Sequence, residues 1–204
     1  MVSSAEIINT IADRLKYYNA KNIVLDTVMV STSGCKLLRD DAIDALTSVL
    51  FPIGDIITPN LTEAAILLGE PYPAAGLNAR EVRSWLVRLS QLGPRTVVIT
   101  GAEISGKGIS SVGFDSKNSS FWKVVSDYVP AKYSGCGDLY TAVLTGGLLL
   151  GDSLPIAMSR AAGFAKLAIK TAYSYGVSKN DGVMFEQHLP WLAEYSELSD
   201  FEPL

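Results

Sequence analysis

The sequence predicts an α/β protein: a mostly parallel sheet flanked by helices on both faces, with an antiparallel hairpin at one edge. Three observations carry this expectation. Short β-branched runs alternate with segments of helical period along most of the chain. One stretch, 108–129, alternates instead with period two around a turn. The 204 residues are 48% hydrophobic, enough to bury a core in one domain.

The elements follow in order. Residues near 4–18 carry Ile7, Ile8, Ile11, Leu15 and Tyr18 at helical spacing. "NIVLDTVMV" (22–30) is a continuous apolar run, read as a strand covered on both faces. "RDDAIDALTSVLFP" (39–52) reads as a helix, with Asp40 or Asp41 near its start and Pro52 after its end. "GDIITP" (54–59) is a short buried strand, and "NLTEAAILLGE" (60–70) a helix with Asn60 as N-cap. A helix over 79–93 ends at Gly93-Pro94, and "RTVVIT" (95–100) is a strand. The 108–129 hairpin turns at Asp-Ser-Lys-Asn. Helices are expected over roughly 137–150 and 153–174, and a last one over 182–195.

Composition narrows the function classes. The formal net charge is -4 and the 17 Lys and Arg are scattered, so no basic patch points to nucleic acid. Cys35 and Cys136 lie far apart and His188 is the single histidine, which argues against a zinc site or a disulfide framework. The apolar runs are too short and broken to span a bilayer, and the N-terminal segment does not read as a signal peptide. The expectation is a cytoplasmic protein without membrane or nucleic-acid partners.

In parallel sheets, ligands sit at the carboxyl ends of the strands. Four points fall there: Asp26, Thr58-Pro59-Asn60, Thr100-Gly101 and the knot Gly135-Cys136-Gly137-Asp138. Each has a plain structural reading as well: a satisfied carboxylate, a helix start, a strand end, a tight turn. The knot is the most informative. Backbone N–H groups free of side-chain bulk at a helix N-terminus make an anion site. An aspartate beside them can accept a proton from an attacking hydroxyl while the N–H groups hold phosphoryl charge. Asp26 and Glu63 are then placed to hold Mg²⁺ through water. For Cys136, a small residue that packs between glycines is favoured over redox or nucleophilic chemistry.

The segment "SGCGDLYTAVLTGGLLLGDSLPIA" resembles the "GTGD" anion-hole and base segment of the ribokinase superfamily, with Cys136 where threonine is usual. "ITPNLTEAAILLGE" is similar to its "TPNxxE" segment, and "VLDTVMV" to its "DPV" strand, with Thr27 in place of proline. The resemblance is to the vitamin-kinase branch, and the two halves of the chain lean differently. "NIVLDTVMVSTSGCKLLRDDAIDAL" is similar to hydroxymethylpyrimidine kinases of thiamine synthesis. From about Glu70 onward, "GPRTVVIT", "DYVPAKYSGCGDLY" and "GDSLPIAMSRA" are closer to pyridoxamine kinases. The pyrimidine kinases tend to carry cysteine at the position of Asp138 and lysine near Thr100, so Asp138 and Thr100 favour pyridoxal-type chemistry.

The resemblance implies an ATP-dependent kinase acting on the hydroxymethyl group of pyridoxal, pyridoxamine or pyridoxine in vitamin B6 salvage. Its alternative is a hydroxymethylpyrimidine (phosphate) kinase. Asp138 would be the base, and Gly135, Cys136 and Gly137 the anion hole. Asn60 and Glu63, with Asp26 more loosely placed, would serve Mg²⁺. Thr100 and Gly101 would face the ATP phosphates, and Tyr128, Val129 and Pro130 would lie near the nucleotide as the edge of a lid. A monovalent cation and a homodimer are both compatible with the branch. Relatives begin with roughly one further βαβ-sized portion before the position of Met1. The chain is therefore expected to be a single domain, N-terminally truncated relative to the family, and a weak nucleotide-binding domain is the remaining alternative.

Overall fold

A computed structural model describes residues 4–31, 35–104, 109–127, 129–131, 133–193 and 200–204. Among these, six strands form one sheet in the order β1 to β6, with helices on its two faces. Strands β1 (Val24–Leu25), β2 (Ile56–Ile57) and β3 (Thr96–Glu103) are parallel. Strands β4 (Ile109–Asp115), β5 (Ser120–Ser126) and β6 (Phe201–Pro203) continue the sheet antiparallel. The sheet is thus mixed, and its antiparallel half is larger than the expected hairpin because β6 extends it. Nothing in the short "FEP" segment marks it as a strand; pairing with β5 makes it one.

Local sequence explains most of the helices. Helix α1 (Ala5–Tyr17) begins where the Ser4 hydroxyl accepts the Ile7 N–H at 3.3 Å. Glu6 sits in its first turn and Arg14 and Lys16 in its last, charges that complement the helix dipole. Helix α2 (Asp40–Ala45) does not run to Pro52 as an α-helix. It widens into a π turn over Leu46–Leu50 and tightens into a 3₁₀ turn over Phe51–Ile53 that contains Pro52. Pro52 has no N–H to return to the preceding turn, and the hydroxyls of Thr47 and Ser48 occupy the carbonyls of Ile43 and Asp44. Helices α3 (Leu61–Leu68) and α4 (Ala79–Ser90) both start with an Asn-x-x-Glu capping box, Asn60 with Glu63 and Asn78 with Glu81. Helices α5 (Cys136–Leu149) and α6 (Leu154–Ser174) match the expected spans. The last predicted helix is reduced to a 3₁₀ turn, Glu186–His188, leading into α7 (Leu189–Ala193); residues 194 and 195 of that expectation lie outside the described ones.

The strand expected over 22–30 is also shorter than its apolar run. The run 22–30 pairs as a strand only at Val24–Leu25, and both residues are half-buried, because β1 is an edge and its partner β2 is just as short. Beyond Leu25 the chain leaves the sheet, and Leu37 N–H returns to Met29 O at 2.7 Å.

Two cores result from strand alternation. Val97, Ile99, Val112 and Phe114 face a cluster with Ile8, Phe51, Leu86 and Leu89 from the α1–α4 side. Val98 and Val124 face the opposite cluster with Leu144, Met158 and Phe164 from α5 and α6. Burying each such side chain contributes about 1.5–3 kcal/mol. Gly113 lets α6 approach: a Cβ there would lie 2.5 Å from Met158 Sδ. Among the described residues no helix is long and apolar enough to cross a membrane.

Candidate active site

The carboxyl ends of β1, β2 and β3 meet the N-terminus of α5. Hydrogen bonds between residues distant in sequence tie these ends together. Thr100 N–H donates to Pro59 O at 2.9 Å, and Asn60 and Thr100 form an isolated parallel bridge. Thr58 Oγ1, at the end of β2, lies 2.9 Å from Thr141 Oγ1 on α5. Four separate sequence points thereby become one locality: Asp26, Thr58–Asn60, Thr100–Gly101 and the knot at 135–138.

Glu63 is the centre of the clamp beneath it. Its Oε2 accepts from Thr27 Oγ1 at 3.2 Å and from Asn60 N–H at 3.0 Å, while Oε1 accepts from Met29 N–H at 3.1 Å. Asn60 Oδ1 in turn accepts Glu63 N–H at 3.0 Å. Glu63 is 3% exposed, and burial pushes its carboxyl pKa up against those donors. This carboxylate is occupied in joining the segment after β1 to the start of α3.

Asp26 is the opposite case. Its Oδ2 is buried and has no hydrogen-bond partner. Its pKa is pushed up to about 6, first by burial, then by the charges of Asp138 and Glu63, and the Thr58 side chain and Thr27 backbone oppose the rise. A carboxyl group within electrostatic reach of two others, with one oxygen unfilled, suits a divalent cation. Among the described residues no group of three or more His, Cys, Asp or Glu is arranged to hold a metal directly. A cation here would therefore be reached through water and through phosphate oxygens.

The knot starts α5 without a side-chain cap. Gly135 is the N-cap at φ 80°, a left-handed conformation that favours glycine, and Leu139 N–H makes the first turn's bond to Gly135 O at 3.0 Å. The N–H groups of Cys136, Gly137 and Asp138 precede that bond, in the first turn where helices leave donors open. A Cβ on Gly137 would meet nothing within 4 Å, so no protein neighbour demands glycine there. Asp138 is exposed in this first turn. The Cys136 thiol is half-buried and its pKa is raised by burial, opposed by a hydrogen bond from the Tyr133 backbone, which suits packing rather than nucleophilic chemistry.

Thr100 and Gly101 sit where the β3–β4 register shifts between Ile99 and Ala102, with Gly101 at φ 66°. Such a bulge turns the strand end outward beside Asn60. Val129 is half-buried and Pro130 exposed on the segment joining β5 to α5; Tyr128 lies outside the described residues. Sequence reading passed over Thr141, whose only signal is a hydroxyl three residues after Asp138 in an apolar helix. It also missed the clamping role of Thr27. His188, the single histidine, contacts Thr171 Oγ1 at 2.7 Å, away from the strand ends.

Comparison with known proteins agrees with this architecture. The chain is 32% identical over 94% of its length to the hydroxymethylpyrimidine/phosphomethylpyrimidine kinase of Rhizobium meliloti, of which it covers 70%. A phosphomethylpyrimidine kinase-like protein from Bacteroides thetaiotaomicron, in an orthorhombic crystal form with pyridoxal, superposes on 98% of the chain with TM-score 0.89 and 32% identity, over 71% of that protein. An ADP complex of Bacillus subtilis pyridoxal kinase superposes on 84% of the chain with TM-score 0.70 and 28% identity, over 63% of that protein. The chain thus spans between 63% and 71% of these proteins. The preference for pyridoxal drawn from Asp138 and Thr100 is not shared by the curated relatives, which are named as pyrimidine kinases. A phosphomethylpyrimidine kinase profile matches residues 1–184, and with that match the chain belongs to the phosphomethylpyrimidine kinase family, in the vitamin-kinase branch of the ribokinase superfamily.

Proposed function

We propose that this chain carries an ATP-dependent phosphotransferase site whose acceptor is the hydroxymethyl group of hydroxymethylpyrimidine. The observation that supports it is the juxtaposition of an uncapped helix N-terminus carrying Asp138 with the unfilled carboxylate of Asp26. In the reaction the acceptor oxygen attacks the γ-phosphorus of ATP, the bond from that phosphorus to the bridging oxygen breaks, and ADP leaves. Asp138 takes the acceptor's proton. The N–H groups of Cys136, Gly137 and Asp138 face the oxygens on which charge accumulates, and Thr100 and Gly101 line the phosphates. Mg²⁺, when bound, supplies neutralisation of phosphate charge, and Asp26 is the residue best placed to orient it through water. Glu63 and Asn60 hold the loop on which Asp26 stands.

A second acceptor, pyridoxal, is favoured by the pyridoxal-bearing crystal form of the Bacteroides relative and by Asp138 itself. The test is ADP release by the purified 204-residue chain with Mg²⁺ and ATP, offered hydroxymethylpyrimidine and pyridoxal in competition. A higher kcat/KM with hydroxymethylpyrimidine supports the proposal, and the reverse ranking replaces it with the pyridoxal reading. ATP binding without transfer to either acceptor overturns both and leaves a nucleotide-binding domain.

A further inference from the structure

Helix α5 is held on the sheet mainly by apolar side chains, with Tyr140, Val143 and Leu144 buried beneath it. Apolar contact is non-directional, and a helix seated on it alone can slide or rotate by small amounts. A hydrogen bond to the sheet is directional and fixes register. The contact between Thr58 and Thr141 supplies one, bridging 83 residues of sequence at 2.9 Å. Thr58 is 3% exposed and is followed by Pro59, whose carbonyl is itself tied to Thr100 N–H.

The behaviour of Thr145 sharpens the point. Thr145 follows the usual habit of threonine in a helix, returning its hydroxyl to a carbonyl one turn back, Thr141 O at 2.7 Å. Thr141 instead points its hydroxyl across to β2. Each hydroxyl carries a single proton. At 2.9 Å either threonine hydroxyl can donate to the other. Thr58 is also tied to β1, its N–H donating to Leu25 O at 3.2 Å, next to Asp26.

We infer that Thr141 and Thr58 form a directional hydroxyl latch that sets the first turn of α5 against the end of β2. Thr141 lies one helical turn beyond Asp138, so the latch fixes the place of Asp138 relative to Asp26. Both threonines are positioning residues: neither is assigned contact with substrate. The consequence for turnover rests on the function proposed above, whereas the latch itself does not.

The experiment is native-state amide hydrogen exchange of the full chain without nucleotide or acceptor, read at residues 139–142 of α5. The variants are Thr141→Val and Thr58→Val, which keep volume and remove the hydroxyl, and Thr58→Ser, which keeps the hydroxyl and removes a methyl. The latch requires about tenfold faster exchange in both valine variants, and a rate within about twofold of wild type in Thr58→Ser. The double valine variant should exchange no faster than either single one, because both remove the same hydrogen bond. Wild-type exchange in Thr141→Val, or faster exchange in Thr58→Ser than in Thr58→Val, assigns the pair to packing and overturns the latch. In the parallel ADP-release assay, kcat should fall in the valine variants with KM for ATP unchanged. A wild type that transfers no phosphate but shows the exchange pattern would overturn the proposed function alone.

Discussion

The two ends of the parallel strands use the same backbone and finish differently. At the amino end lies an open cleft of about 650 Å³, lined by Val24, Ile56, Thr96 and Trp122 with the last turn of α5 and the start of α6. Its charged groups have partners. Arg95 bonds Asp115 at 3.1 Å, Asp55 accepts Ile23 N–H at 2.8 Å, and Asp152 bonds Arg160 at 3.0 Å. The carboxyl end keeps unmet capacity: an orphan oxygen on Asp26, an uncapped helix and an exposed Asp138. Volume alone would direct attention to the amino end. Buried polar groups are normally satisfied, so the unpartnered Asp26 oxygen locates chemistry better than size does.

The contrast is breakable, and the largest expected effect is at Asp138. Asp138→Asn should lower kcat by at least about 100-fold while ATP binding by calorimetry stays within about threefold, since a general base contributes roughly 10²–10⁴. Unchanged turnover would remove the carboxyl end from the mechanism.

Glu63→Gln comes next. The amide turns an NH2 on either the Met29 N–H or the Thr27 and Asn60 donors, and should cost about 2 kcal/mol in urea unfolding without metal or nucleotide. Full stability combined with weakened Mg²⁺–ATP binding would show that Glu63 serves the cation and not the clamp.

Asp26 gives a pH signature. Its folded pKa of about 6 lies above the ordinary 3.8, so the protonated form stabilises the fold. That stability is fully present below about pH 4 and is lost as pH rises through 6. The ceiling from the shift is about 3 kcal/mol, reduced to about 1–2 kcal/mol by the group's partial exposure. Asp26→Asn should remove this slope and stabilise the ligand-free chain at pH 7 by a similar amount, while lowering turnover. A urea midpoint equally pH-dependent in both proteins would contradict the picture of a strained carboxylate.

The smallest effect belongs to the amino end. Arg95→Ala breaks an ion pair whose arginine is 57% exposed, and should change stability by under about 0.5 kcal/mol and turnover not at all.

Much of this was legible in the amino-acid order. The two Asn-x-x-Glu boxes and the glycine-rich start of α5 are satisfied within four residues, so local sequence marks them without knowledge of the fold. Asp26, Asn60 and Thr100 were identifiable from their place at the ends of apolar strand runs, and Asp138 from the glycine-rich helix start before it. The shortness of β1 was not legible, because an apolar run reads alike at an edge and in a centre. Nor was β6, whose strand character comes from β5, some 80 residues away in sequence.

The sequence by itself determined the periodicities, the caps and the residue types available at each strand end, all set by contacts within about one helical turn. Tertiary structure alone decided that Glu63 is saturated while Asp26 is not, and that Thr141 reaches Thr58 rather than its own helix. Those outcomes depend on which groups packing brings within hydrogen-bond distance, and a chain expresses that distance only once its cores have closed.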